Sequence, residues 1–212
     1  MIKHWLAGAA LAASIALPLA AHAGAYEDFF KAVSVDDAGS VQALLQRGFD
    51  PNSRDEKGQV PLYLSLREGS FKVAAVLLQS PQTQVDTANE SGETPLMMAA
   101  LKGQADWARR LVERGAQVNR SGWTPLHYAA TGPDKALVAW LIERGAALDA
   151  RSPNGTTPLM MAARYGDQDS AELLLAKGAD ARLRNEKNLS AADFARLAGR
   201  DKLGEKLEQA MR

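Results

Sequence analysis

Cysteine is missing from all 212 residues of this chain. No disulfide can therefore support the fold, and neither a thiolate nucleophile nor a cysteine-ligated metal is possible. Histidine is nearly missing as well, since His127 is the only imidazole after residue 22. A catalytic triad or a histidine metal site would depend on that single side chain.

An excess of charge of either sign is also missing, because 25 lysines and arginines balance 25 aspartates and glutamates. Without a basic stripe the chain lacks what a phosphate backbone requires, so we expect no nucleic-acid partner. Two pairs of carboxylates, Glu90 with Glu93 and Asp167 with Asp169, stand close in sequence. We interpret them as solvated charges rather than as acid–base pairs. The sequence thus predicts no catalytic residues and no enzyme.

Long apolar runs are missing except at residues 5–20. This run follows the basic Lys3 and precedes Ala21-His22-Ala23, which has the small-x-small form of a cleavage site. The order is typical of a secretory signal peptide, and the run is shorter than the roughly 20 residues of a spanning helix. We therefore expect residues 1–23 to be removed. Residues 24–212 would then be periplasmic or secreted, with no membrane insertion.

A four-residue phrase recurs through the remaining chain. It reads Val60-Pro61-Leu62-Tyr63, Thr94-Pro95-Leu96-Met97, Thr124-Pro125-Leu126-His127 and Thr157-Pro158-Leu159-Met160. A period of about 33 residues indicates stacked supersecondary units rather than one globular core. Within the phrase, Thr94 is placed to cap a helix and Pro95 suits the first helical position.

The phrase Thr-Pro-Leu-His-x-Ala at 124–129, at this period, resembles the ankyrin repeat. The resemblance implies an all-α solenoid of helix-turn-helix units with short hairpin fingers. It covers residues 24–212 as about six units: an N-terminal cap at 26–52, then 53–86, 87–119, 120–149 and 150–182, and a C-terminal cap at 183–212. Terminal units of such stacks carry a polar outer face, which Arg196 and Glu208 would provide.

Two units depart from this pattern. The interval from Gly115 to Gly122 is shorter than that from Gly145 to Gly155, so the finger between them should be stunted. Val60 stands where the other phrases have threonine, so its helix should begin without a side-chain cap.

The ankyrin resemblance implies a protein partner bound in a concave groove, which is lined by the finger tips and the exposed ends of the first helices. Trp123, at the tip of the short finger, is the expected anchor, because an exposed indole is otherwise unfavourable. The alternative is that the short finger folds Trp123 onto a neighbouring unit. The predicted partner-binding residues are Trp123, Leu101, Lys102, Tyr165, Arg164, Glu90, Glu93, Arg67 and Glu68.

Other functions remain as alternatives. Met98, Met161 and His127 would serve an accessory factor that handles a metal or haem, since thioethers can ligate copper(I). We favour core packing for the methionines and a structural role for His127, and expect no cofactor. A secreted effector acting on foreign proteins is a further alternative. We expect the chain to be a monomer.

Overall fold

The computed structural model describes the backbone of residues 19–212 and the side chains of residues 24–212. Within this range the secondary structure is entirely helical. The helices are α1 (Leu19–Ser34), α2 (Ala38–Gln46), α3 (Pro61–Glu68), α4 (Phe71–Gln79), α5 (Pro95–Leu101), α6 (Ala105–Glu113), α7 (Pro125–Thr131), α8 (Lys135–Glu143), α9 (Pro158–Tyr165), α10 (Gln168–Ala176), α11 (Ala191–Leu197) and α12 (Asp201–Gln209).

The helices form antiparallel pairs that stack in two rows. The first helices of each pair, α3, α5, α7, α9 and α11, pack closely on one another, whereas the second helices make fewer contacts along their own row. The row of first helices is therefore the more tightly packed side of the stack. The prediction of an all-α solenoid is confirmed.

Small residues allow the close approach of the first helices. The paired alanines Ala99-Ala100, Ala129-Ala130 and Ala162-Ala163 are all buried between units. Leucines such as Leu111 and Leu141 on the second helices fill the space behind them and are fully buried. Interiors pack to crystal-like density, so these small side chains fix the spacing of the units.

The recurring phrase begins the first helices as predicted. The Thr94 hydroxyl accepts the Met97 N–H at 3.3 Å, and Pro95 stands at the first helical position. The last pair begins similarly, with Ser190 accepting the Asp193 N–H. Val60, by contrast, offers no side-chain cap to α3.

The loops between pairs are the predicted fingers, and they are turns rather than strands. In each regular finger a backbone hydrogen bond joins the two ends, such as the Asn89 N–H donating to the Glu93 carbonyl at 2.9 Å. Equivalent bonds close the fingers at 55–59, 152–156 and 185–189. Residues 119–123 have no such bond in this structure, which makes this finger the shortest and least regular of the described chain.

The C-terminal end of the stack is closed by a polar surface. At the C-terminal end Arg196 and Glu208 form an exposed ion pair, which gives the last pair its polar outer face. At the other end residues 1–18 of the predicted signal peptide lie outside the described residues, and the position after Ala23 falls within α1. None of the helices described for residues 19–212 has the length and apolarity needed to cross a membrane.

Candidate functional site

The row of first helices carries an apolar recess near its middle. Leu101 of α5, Tyr128 and Thr131 of α7, Met161 of α9 and Trp123 of the short finger line a cavity of about 220 Å³ that opens to solvent. Its walls are almost wholly apolar, and the fully buried His127 forms its floor. We call these five wall residues the central recess.

Trp123 lies differently from its expected position. The indole is half-buried rather than exposed, and its ring packs edge-on against His127, with ring centroids 5.1 Å apart, and against Tyr128 at 6.4 Å. The prediction of an exposed indole at the finger tip is therefore wrong. The shortened finger places Trp123 on α7 of its own unit, where the side chain lines the recess.

His127 holds two units together. Its Nε2 lies 3.0 Å from the Thr156 carbonyl of the next unit, and its Nδ1 lies 3.1 Å from the Thr124 backbone nitrogen. A carbonyl only accepts, so Nε2 carries the proton and Nδ1 accepts from the Thr124 N–H. Burial lowers the pKa of His127 to about 4, so the ring is neutral at pH 7. The predicted structural role is what the geometry shows.

With both nitrogens of His127 in use, the imidazole has no lone pair left for a metal. Met98, the second member of the alternative metal set, is buried, and Met161 is half-buried in the recess wall. Among the described residues no group of three or more histidines, aspartates and glutamates is gathered in one place. The methionines pack in the core: the thioether of Met97 accepts the Thr94 N–H at 3.4 Å, and Met160 accepts from Thr157 in the same way.

The carboxylate of Glu93, predicted as a partner contact, is engaged in hydrogen bonds within the fold. It accepts hydrogen bonds from the hydroxyls of Tyr63, at 2.7 Å, and Tyr128, at 2.9 Å, and from the Asn89 amide at 2.9 Å. The reason is that the side chain reaches back from its finger to the first helices on either side. Glu93 therefore ties three units together.

The titration of this cluster follows from burial and these bonds. Burial and the hydrogen bond to Glu93 raise the pKa values of Tyr63 and Tyr128 above their usual value. Burial by itself would raise the pKa of Glu93, but the bonds from Tyr63, Asn89 and Tyr128 outweigh it and lower the pKa. Glu93 is thus a carboxylate with its charge retained, while both phenols stay protonated.

The remaining predicted residues lie on either side of the recess. Leu101 lines it and Lys102 follows, exposed. One unit toward the C-terminus, the Arg164 guanidinium lies 5.2 Å from the ring centre of Tyr165, which is 57% exposed.

One unit toward the N-terminus, Arg67 pairs with Glu68 at 2.7 Å, so these two predicted partner contacts neutralise each other. Glu90 is exposed on its finger, and its side chain lies against Gly58.

Sequence reasoning missed Tyr128 and its bond to Glu93. Tyr128 occupies the same position of its helix as Met98 and Met161 in the neighbouring units, one residue after the phrase. Tyrosine in place of methionine at this repeat position indicates a polar partner nearby, because a buried phenol needs a hydrogen bond.

Comparison with known proteins gives a consistent result. A family model described as ankyrin repeats, in three copies, matches residues 29–121 and 117–185. Ankyrin repeat and SAM domain-containing protein 6 of Rattus norvegicus is 31% identical over 69% of this chain, and NF-kappa-B inhibitor alpha of Rattus norvegicus is 36% identical over 42%. These alignments span only 13% and 30% of the two relatives.

A solved structure is similar over nearly the whole chain. It is one chain of the complex between the predatory endopeptidase Bd0816 from Bdellovibrio bacteriovorus and the immunity protein Bd3460. The similarity covers 86% of the present chain and 97% of that chain, with a TM-score of 0.71 and 28% identity.

Proposed function

Because this chain belongs to the ankyrin repeat family, we propose that it is an exported, non-enzymatic module that binds a protein partner in its concave groove. Protein–protein interaction is what ankyrin repeats indicate. We further propose that binding takes place in the groove, that the chain is exported and that it has no catalytic activity.

The central recess is the observation that carries the groove assignment. Its walls are contributed by three successive units, and Trp123 and Tyr128 supply the aromatic area that dominates interface energetics. The rigid stack would present the recess with little conformational cost on binding.

The state of His127 supports a binding role over an enzymatic one. Both ring nitrogens are committed to backbone groups, and its lowered pKa reflects burial rather than a catalytic partner. The carboxylate of Glu93 likewise accepts hydrogen bonds from three donors within the fold. Neither group is available to move a proton on a substrate.

Capture from the native envelope extract tests the groove assignment. Leu101→Ala and Trp123→Ala each remove a wall of the recess, and each should reduce capture of the partner about tenfold or more. Trp140→Ala is the matched control, because Trp140 is a half-buried indole on the second-helix row. Full capture by the two recess variants, with the fold intact by circular dichroism, would show that the partner binds elsewhere.

Export is proposed from residues 1–23, whose basic start, apolar run and Ala21-His22-Ala23 fit a signal peptide. Mass spectrometry of the chain from the periplasmic fraction or culture medium should give an N-terminus at Gly24. A cytoplasmic chain beginning at Met1 would contradict this proposal without affecting the groove.

A second, narrower candidate is that the partner is an endopeptidase, which binding would block. Its support is the similarity over 97% of one chain of the Bd0816–Bd3460 complex. Proteins captured by the groove should then include an endopeptidase whose cleavage of a fluorogenic peptide falls on adding the chain. Captured partners without peptidase activity would contradict the endopeptidase proposal but not the more general proposal of a protein partner.

A further inference from the structure

The methionines of the first helices lie in two different environments. Met97, Met98 and Met160 are buried, with at most 5% of any of them exposed. Met161, the residue after Met160, is half-buried and lines the central recess, which opens to solvent. A small polar reagent can therefore reach the Met161 side chain in the folded protein. It reaches the other three only when the structure opens locally, which makes their reaction slow.

Hydrogen bonds add to this difference. The thioether of Met97 accepts the Thr94 N–H at 3.4 Å, and that of Met160 accepts the Thr157 N–H at 3.4 Å. Each bond engages a sulfur lone pair, which is the electron pair that attacks an oxidant. Among the described residues no such bond reaches the sulfur of Met161. Its lone pairs are available to a reagent that enters the recess.

Hydrogen peroxide oxidises a thioether in one balanced step. A sulfur lone pair attacks one peroxide oxygen, so that an S–O bond forms and the O–O bond breaks. After proton transfer the other oxygen leaves as water. The sulfur loses two electrons and the peroxide, which is the oxidant, gains them. The product is methionine sulfoxide, a polar and chiral side chain in place of an apolar one.

A sulfoxide at Met161 would change the chemistry of the recess. The recess walls are almost wholly apolar, and Met161 is the wall that α9 contributes. The hydroxyls of Tyr128 and Thr131 already donate to Glu93 and to the His127 carbonyl, so neither is free to donate to the new oxygen. Water would bind there instead, and an apolar partner group would have to displace it at a cost in free energy.

We propose, resting on the function proposed above, that Met161 is a site of oxidative modification: hydrogen peroxide that reaches the exported chain converts its thioether to a sulfoxide and weakens partner binding in the central recess. The chain has no cysteine to react first. Outside the cytoplasm it would also lack the protection of the cytosolic thiol systems. Methionine sulfoxide reductases reverse the reaction, so the modification can be undone.

Met211 is the internal control for this proposal. It is half-buried like Met161, but it follows α12 near the C-terminus and is not one of the recess walls. Peroxide should therefore oxidise Met211 as well, without an effect on binding in the recess. Met98 is the control for accessibility, because it occupies the position of Met161 in α5 but is buried.

Peptide mass mapping of the purified chain after brief peroxide treatment tests the modification site. Met161 should gain one oxygen at least about tenfold faster than Met98 in the folded protein, because only Met98 has to wait for a local opening. In urea the two rates should become equal. Oxidation of Met161 that is no faster than that of Met98 in the folded chain would overturn the inference.

NMR locates the effect without a partner. The indole N–H resonance of Trp123, assigned with Trp123→Phe, should shift when Met161 is oxidised, since both side chains line the recess. Peroxide treatment of Met161→Leu, in which only Met211 of the two accessible methionines remains, should leave that resonance in place. A resonance that moves equally in parent and Met161→Leu would contradict a sulfoxide in the recess.

Capture from the native envelope extract measures the effect on binding. Peroxide-treated Met211→Leu, which keeps Met161, should capture about tenfold less partner than the untreated chain. Met161→Leu should capture normally before and after treatment, because leucine has a similar volume and is not oxidised. Met161→Gln, which places a polar group at the same position, should lower capture without any oxidant. Normal capture by Met161→Gln and by oxidised Met211→Leu would overturn the inference.

The outcome for the proposed function is separate. Capture that Leu101→Ala reduces but oxidation of Met161 leaves unchanged would keep the groove function and reject the modification as its regulator. Capture that neither change alters would contradict the groove function itself, and with it the effect proposed for the sulfoxide.

Discussion

Tyr128 donates its hydroxyl to the Oε1 of Glu93 over 2.9 Å and presents its ring to the central recess. One side chain thus belongs both to the polar cluster that ties three units together and to the surface proposed for binding. Stability and partner binding are coupled at this residue. A substitution of Glu93 should therefore alter the position of Tyr128 in the recess, although Glu93 itself does not line the recess.

Replacing Glu93 by glutamine should destabilise the chain by about 1–3 kcal/mol, because bonds to a charged acceptor are lost and the amide turns a donor toward a hydroxyl. Urea denaturation followed by circular dichroism measures the change. Glu90→Gln, on the exposed tip of the same finger, is the control and should stay within about 0.5 kcal/mol of the parent. Equal stability of the two variants would mean that the tyrosine bonds contribute nothing net.

Stability should fall as the pH is lowered from about 6.5 toward 4, and His127 should account for much of the loss. Its folded-state pKa of about 4 lies below the ordinary value of 6.5, so the unfolded chain binds the proton first. Neutral His127 makes its full contribution to the free energy of unfolding above about pH 6.5. That contribution is lost as the pH falls through the folded-state pKa of about 4. A shift of this size corresponds to roughly 3 kcal/mol.

His127→Met isolates this effect, because methionine already occupies the equivalent position at Met97 and Met160. The variant loses the bond to the Thr156 carbonyl and should be less stable at pH 7, but its stability should change less between pH 6.5 and 4. Glu93, whose pKa is lowered, contributes its own loss at the acidic end in both proteins. Parallel pH profiles for parent and variant would contradict the assignment.

The sequence predicts the scaffold well because the residues that define each repeat act on their own neighbourhood in the chain. Thr94, Pro95 and the alanine pair determine where a helix begins and how closely it packs, and those effects act within a few residues. The uncapped start at Val60 follows from the same rule. The position of Trp123 could not be obtained in this way, because it depends on how a shortened loop settles across α7.

Local sequence rules cannot predict the polar cluster of Tyr63, Glu93 and Tyr128 either. Tyr63, Glu93 and Tyr128 belong to three different units, and their hydrogen bonds join residues about one repeat apart in sequence. Glu93 was assigned to the groove because its finger position is free in the repeat pattern. Only the stacked arrangement shows that its carboxylate turns inward.

Val60→Thr should stabilise the chain by about 1 kcal/mol, since it supplies the missing side-chain acceptor at the start of α3. Threonine and valine have nearly the same shape, and the equivalent Thr94 is equally buried while capping α5. Thermal unfolding gives the comparison, with Thr94→Val as the reverse change and an expected loss of similar size. A stabilising Thr94→Val would show that burial of the hydroxyl outweighs the cap.

Gly166→Ala should destabilise the chain by about 2 kcal/mol or more, because the added methyl group would collide with the carbonyl oxygen of Ala130 in the preceding unit. The backbone of Gly166 has a φ of −87°, which any residue can adopt, so the cost is steric contact between units rather than conformation.

Gly178→Ala provides the contrast for Gly166→Ala. Gly178 has a φ of 96° but nothing within 4 Å of an added Cβ, so alanine there should cost only about 1 kcal/mol of conformational energy. Urea midpoints of the two variants separate the effects. If Gly166→Ala were the milder change, the first helices α7 and α9 would have room to move apart. The close spacing that shapes the central recess would then not be fixed by their backbones.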